Sequence, residues 1–190
     1  MTTTTEDGRT ARAERTREKV VDALLELLDG GDVRPTSERI AGRAGVSERT
    51  VFQHFADREA LFQAVSARQY DRVMPTLEVI PPDLPVAERI ERFTDQRARL
   101  LERLSGVRRG ALLMEAESSA VADGLALARR LKAAEVERIF APEIAAHPEL
   151  RAPLVSASAW TAWEGLRRHQ GLGERQAREA MTLTLERLLL

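Results

Sequence analysis

The chain has 190 residues, of which 43% are hydrophobic and 31% charged, a balance that excludes a disordered chain and allows one large folded domain or a small module joined to a larger one. It contains no cysteine, which excludes a disulfide framework and a thiolate zinc site. The formal net charge is −1, so any surface suited to a polyanion must be local.

In chain order, residues 1–14 are polar, and Arg9, Arg12, Arg15 and Arg17 recur at near-regular intervals in and just after them. They read as a solvated terminus or as a flexible basic arm. "MTTTTEDGRTARAER" has no apolar core like that of a signal peptide, and no apolar run reaches the length of a membrane span, so the expected location is cytoplasmic. From "RTREKVVDALLELLDGG" the pattern is helical, with Val20, Val21, Leu24, Leu27 and Leu28 at spacings of three and four until Gly30-Gly31. "VRPTSERIAGRAGVSERT" then gives a loop, a short helix with Ile40, Ala41 and Ala44 on one side, a turn at Gly45, and a second short helix capped by Ser47. Asp57 is placed to cap a fourth helix bearing Leu61, Phe62, Val65 and Val73, which Pro75 weakens.

"PPDLP" marks a joint. After it, Val86, Ile90, Phe93, Arg97, Leu100 and Leu101 recur at helical spacing, "GALLMEAES" follows Gly106 and Gly110, and three further helical stretches run to the end. No strand-like alternation occurs. The expectation is an all-α chain of about nine helices.

The polar stretch "GVSERTVFQHFADREAL" carries the chemistry. At 100° per residue, Val51 and Phe55 turn to one side. Arg49 and Gln53 project roughly opposite with Thr50 beside them, and Phe52 and His54 fall on the flanks. Two short helices joined by a tight glycine turn form a helix-turn-helix, whose second helix can enter a DNA major groove. Long donors in the middle suit base edges, and flanking groups suit the phosphate walls. Arg49 matches guanine and Gln53 adenine, while Glu48 can accept from cytosine or pair on the protein surface. An exposed polar face on a helical bundle is the plain alternative.

The order "RIAGRAGVSERTVFQHFADREALFQAV", preceded by one amphipathic helix and followed by more than a hundred residues of helix, resembles the TetR family of transcriptional regulators over Arg15 to about Ala67. The resemblance implies an N-terminal helix-turn-helix domain (15–60), a helical ligand-binding and dimerisation domain (61–190), and a homodimer. It also implies a repressor that leaves a palindromic operator when a small-molecule effector binds. It assigns DNA contacts to Ser37, Ser47, Glu48, Arg49, Thr50, Phe52, Gln53, His54 and Arg58. Phe52 stands where the family usually has a tyrosine whose hydroxyl bonds a phosphate, and Arg58 where a lysine often meets one. No cofactor is implied.

Farther along, "PLVSASAWTAWEGL" is rich in small residues that allow close helix approach. Ala159, Ala162 and Gly165, with Ala177, Met181, Thr184 and Leu188 on the last helix, are candidates for a four-helix dimer interface. Intrachain packing is the alternative. Phe93, Arg97, Leu100, Met114, Glu115, Phe140, Trp160 and Trp163 are candidate pocket residues, or plain core. Trp160 and Glu164, four apart, could wall a cation site. Glu143 and His147 have a metal-ligand spacing, but two ligands do not make a site. The chain has three histidines and no phosphate loop or nucleophile elbow, so an enzyme is not expected. A helical protein-interaction module without DNA binding is the second functional reading.

Overall fold

Alanine, arginine and glutamate dominate residues 9–18, and all three favour helix. In the computed structural model, which describes residues 3–190 with side chains from residue 8 onward, α1 accordingly spans Thr3–Asp29. This corrects the expected arm. Residues 1 and 2 of it lie outside the described residues, and the rest is helical, because a helix nucleated on the buried Val20, Val21, Leu24 and Leu25 propagates N-terminally at little cost. Gly31, at φ +90°, ends α1, and Asp32 N donates to Leu27 O in a closing turn.

The chain divides into two compact units, one of residues up to Met74 with Gly106–Asp123, the other of Pro75–Ser105 with Gly124–Leu190. In the first, α2 (Ser37–Ala44) is capped by Thr36, whose hydroxyl accepts from Arg39 N, and ends at Gly45 with φ +68°. Next come α3 (Glu48–His54) and α4 (Arg58–Val73). Helix α4 lies wholly in the first unit, since Leu61, Phe62 and Val65 are buried there. The expected boundary between 60 and 61 therefore moves past the end of α4. That helix gives way at Val73 to a single 3₁₀ turn containing Pro75.

Helix α5 spans Val86–Leu112 without interruption, through both Gly106 and Gly110. A Cβ at Gly106 would stand 2.6 Å from Leu28 O, and one at Gly110 would stand 2.6 Å from Phe62 Cζ. These glycines serve close packing in the first unit, not a turn.

In the second unit, α6 (Ser119–Ile139, from Gly124 on), α7 (Ala141–Ala146), α8 (Arg151–Ala157), α9 (Trp160–Glu164) and α10 (Glu174–Leu189) complete ten α-helices among the described residues. The small-residue stretch "PLVSASAWTAWEGL" is split at Ser158 and Ala159, where Ala159 is extended and the Ser158 hydroxyl donates to Leu154 O at 2.8 Å. A π-helical turn, Gly165–His169, follows α9. The core holds Phe93 and Phe140, edge to face with centroids 5.5 Å apart, along with Trp163, Leu154 and Leu185.

Two arginines are buried beside these rings, each with a side chain only 4% exposed. Arg89 donates to Glu143 at 2.5 and 2.8 Å, to Leu84 O at 2.8 Å and to Ile139 O at 2.7 Å. Arg97 donates to Glu135 and lies over the Phe93 ring. Burial pushes the Arg97 guanidinium below its ordinary range, opposed by Glu135. Among the described residues, no helix is long and apolar enough to cross a membrane.

Candidate nucleic-acid interface

Helix α3 has seven residues, too short to hold itself in water. Ser47 starts it, its Oγ accepting from Thr50 N at 3.2 Å. Val51 and Phe55 are buried and dock it. Asp57 then starts α4, accepting from Ala60 N at 2.7 Å. The Arg17 guanidinium lies 5.0 Å from the Phe55 ring centroid and clamps the end of α3 to α1. Arg17 was placed by spacing in a basic series and had no sequence signal for this packing role.

With its inner side fixed, the helix presents Glu48, Arg49, Phe52 and Gln53 outward, all exposed. Phe52 is 59% exposed, unusual for a large apolar ring on a helix this small. Arg49 and Gln53 share one side and form no ion pair or hydrogen bond with another described side chain. Thr50 and His54 are half-buried at the margins. The Thr50 and Ser47 hydroxyls bond one another at 2.8 Å, which uses one of their two hydrogens and leaves the other to donate outward. Ser37 opens α2, half-buried, and Arg58 opens α4, exposed. All nine residues lie in the first unit. Glu48 sits in the first turn of α3, where a carboxylate also offsets the helix dipole.

Four other arginines of this unit are engaged. Arg39 pairs with Asp32 at 3.1 Å, Arg43 with Glu26 at 2.6 Å, and Arg68 and Arg72 both with Asp22, at 3.3 and 2.8 Å. The pairs to Glu26 and Asp22 staple α1 to α2 and α4, and all four neutralise charge away from α3.

The candidate pocket residues separate. Met114 and Glu115 belong to the first unit, the other six to the second. Phe93, Phe140 and Trp163 are fully buried in core packing, Arg97 is tied to Glu135, and Leu100 is half-buried. Trp160 donates to Ser105 Oγ at 3.0 Å, and Trp163 to Glu102 at 2.7 Å. Glu102 also receives the Arg167 guanidinium at 2.6 Å. An open recess of about 330 Å³ in the second unit is lined by Asp95, Ala98, Arg99, Glu174, Arg175 and Arg178, none of them in the expected set.

Glu143 is occupied by Arg89, and the His147 ring faces Glu149 at 3.3 Å, so the metal spacing is used otherwise. Glu164, expected beside Trp160 at a cation site, lies 3.9 Å from Arg168.

The candidate dimer residues need correction. Ala177 is 0% and Met181 2% exposed within a single chain, because they share the inward side of α10 with Leu185. Their own chain covers them. Thr184 is exposed, and Ala159, Ala162, Gly165 and Leu188 are half-buried. The outward apolar residue of α10 is instead Leu183, 53% exposed, with Leu190 exposed just after the helix.

Three solved structures share the fold. A transcriptional regulator from Rhodococcus sp. Rha1 aligns over 91% of this chain and 95% of its own, at 15% identity and a TM-score of 0.71. A proposed tetR-family transcriptional regulator from Mesorhizobium loti MAFF303099 covers 94% and 96%, at 18% identity and a TM-score of 0.64. A proposed transcriptional regulator from Streptomyces coelicolor A3(2) covers 90% and 98%, at 22% identity and a TM-score of 0.54. No curated protein resembles the chain closely enough to count as a match. Residues 20–65, the stretch that builds and supports α3, match the family described as bacterial regulatory proteins, tetR family. Over that segment the chain is similar to the tetR family, and over most of its length it shares the fold of the three regulators.

Proposed function

We propose that the protein is a sequence-specific DNA-binding transcriptional regulator, a repressor that acts as a homodimer on a palindromic operator and leaves it when a small molecule binds the second unit. The observation that carries this reading is α3 itself, whose outer side offers Arg49 and Gln53 unpaired while two buried residues hold it. Arg49 and Gln53 read base edges, and Glu48 lies next to them. Ser37, Ser47, Thr50, His54 and Arg58 meet phosphates, and Phe52 packs its ring on the sugar-phosphate wall. Dimerisation uses α9 and the outward side of α10, with Ala162, Gly165, Leu183 and Thr184 in place of the inward Ala177 and Met181. The effector belongs to the second unit.

The test is selection of binding sites from random duplexes at moderate salt with the purified protein. Enrichment of a palindrome is the expected result, and the operator recovered then serves to screen for releasing ligands. If no sequence is enriched and partner proteins bind with little salt dependence, the fold serves protein interaction instead.

A further inference from the structure

Residues 8–15 of α1 are all exposed, and the only apolar side chains among them are Ala11 and Ala13. A helix that extends beyond its own buried face gains nothing from packing there. What it does carry is charge. At 100° per residue Arg9, Arg12, Arg15 and Lys19 share an arc of about 120°, roughly opposite the buried Val20, Val21, Leu24, Leu25 and Leu28. Arg9, Arg12 and Arg15 pair with no acidic group among the described side chains, whereas Arg39, Arg43, Arg68 and Arg72 of the same unit all do. Glu14 leans the other way, toward Arg17 at 3.9 Å. Arg17 in turn anchors this part of α1 to Phe55 at the end of α3.

We propose that the N-terminal extension of α1 is a preformed basic rail for the phosphate backbone flanking the recognised half-site, with Arg9, Arg12 and Arg15 as its contacts. It rests on the DNA-binding reading of α3. Starting from the Arg17 anchor, the three guanidiniums are spaced by about 4.5 Å along the axis. That is close to the axial step of about 3.4 Å between phosphates of one strand, so long side chains can meet successive phosphates. The rail adds affinity for every sequence and no base preference. An anionic lipid surface is the competing partner, and the composition argues against it. Interfacial helices bury large apolar residues opposite their basic side, and here that side offers alanines and, in the last turns, side chains already packed in the unit.

The experiment compares wild type with the triple variant Arg9→Ala, Arg12→Ala, Arg15→Ala on the enriched operator, with long flanks and with flanks trimmed by one helical turn. At about 0.9 per phosphate, the slope of log affinity against log salt should become shallower by about 2.7 in the variant. The selected sequence should be unchanged, and the loss should shrink on trimmed duplexes. A second variant, Ala11→Gly with Ala13→Gly, keeps every charge and loosens the helix, and weaker binding is expected. Equal salt slopes for wild type and the triple variant would overturn the rail. Wild-type binding by the glycine variant would replace it with a flexible arm. Sedimentation with phosphatidylserine vesicles that depends on the same arginines, without any change on DNA, would transfer it to membranes. Failure of the function reading looks different, since the wild type would then enrich no sequence.

Discussion

The first unit keeps its ion pairs at the surface, where Arg43, Arg68 and Arg72 hold carboxylates with a third or more of each arginine side chain in water. The second unit buries Arg89 and Arg97 almost completely beside Phe140 and Phe93. Exposed pairs contribute little each and are easily rearranged. Buried pairs are costly to form and more costly to break, so they fix geometry. The difference separates a unit held by exposed, rearrangeable pairs from one whose helices are locked around a filled core.

The largest test of that contrast removes one arginine from each unit. Arg89→Ala should destabilise by about 3–5 kcal/mol, since Glu143 and two carbonyls lose their donor. Arg68→Ala should cost about 0–1 kcal/mol. Urea unfolding of both variants checks this, and similar costs would break the comparison.

Within the first unit, Gly106→Ala should cost about 1–3 kcal/mol, because the new Cβ would press on the backbone oxygen of Leu28. Thermal unfolding reads it. Arg49→Ala should leave unfolding unchanged and remove about 1–3 kcal/mol of discrimination at one base position. Uniform weakening on all sequences would make it a phosphate contact instead. Phe52→Tyr should tighten DNA binding by about 1 kcal/mol through a regained hydrogen bond, and no gain would mean that the ring reaches no phosphate.

The smallest effect concerns acid. Arg89 holds the Glu143 carboxyl below the usual carboxylate range. A carboxyl depressed by folding contributes stability above its unfolded pKa of about 4.3, and that contribution is lost as pH falls through the lower folded value. Stability of the second unit should therefore drop below about pH 4, and Glu143→Gln should flatten that drop.

Local chemistry made the first unit legible. Ser47 and Asp57 cap the helices they precede, Gly45 turns with φ +68°, and Val51 and Phe55 are the buried pair. Each of these depends on neighbours within about four residues, which a sequence displays directly. The all-α fold follows from the same local periodicity. Tertiary structure alone decided the rest. Nothing near Gly106 and Gly110 in the chain says that Leu28 and Phe62 lie against them. Ala177 and Met181 formed a genuine stripe on α10, yet an apolar stripe does not say whether its own chain or a second copy covers it. Glu143 looked available to a metal until Arg89, 54 residues away, closed on it. Periodicity reports which residues share a face; only the folded chain chooses what that face meets.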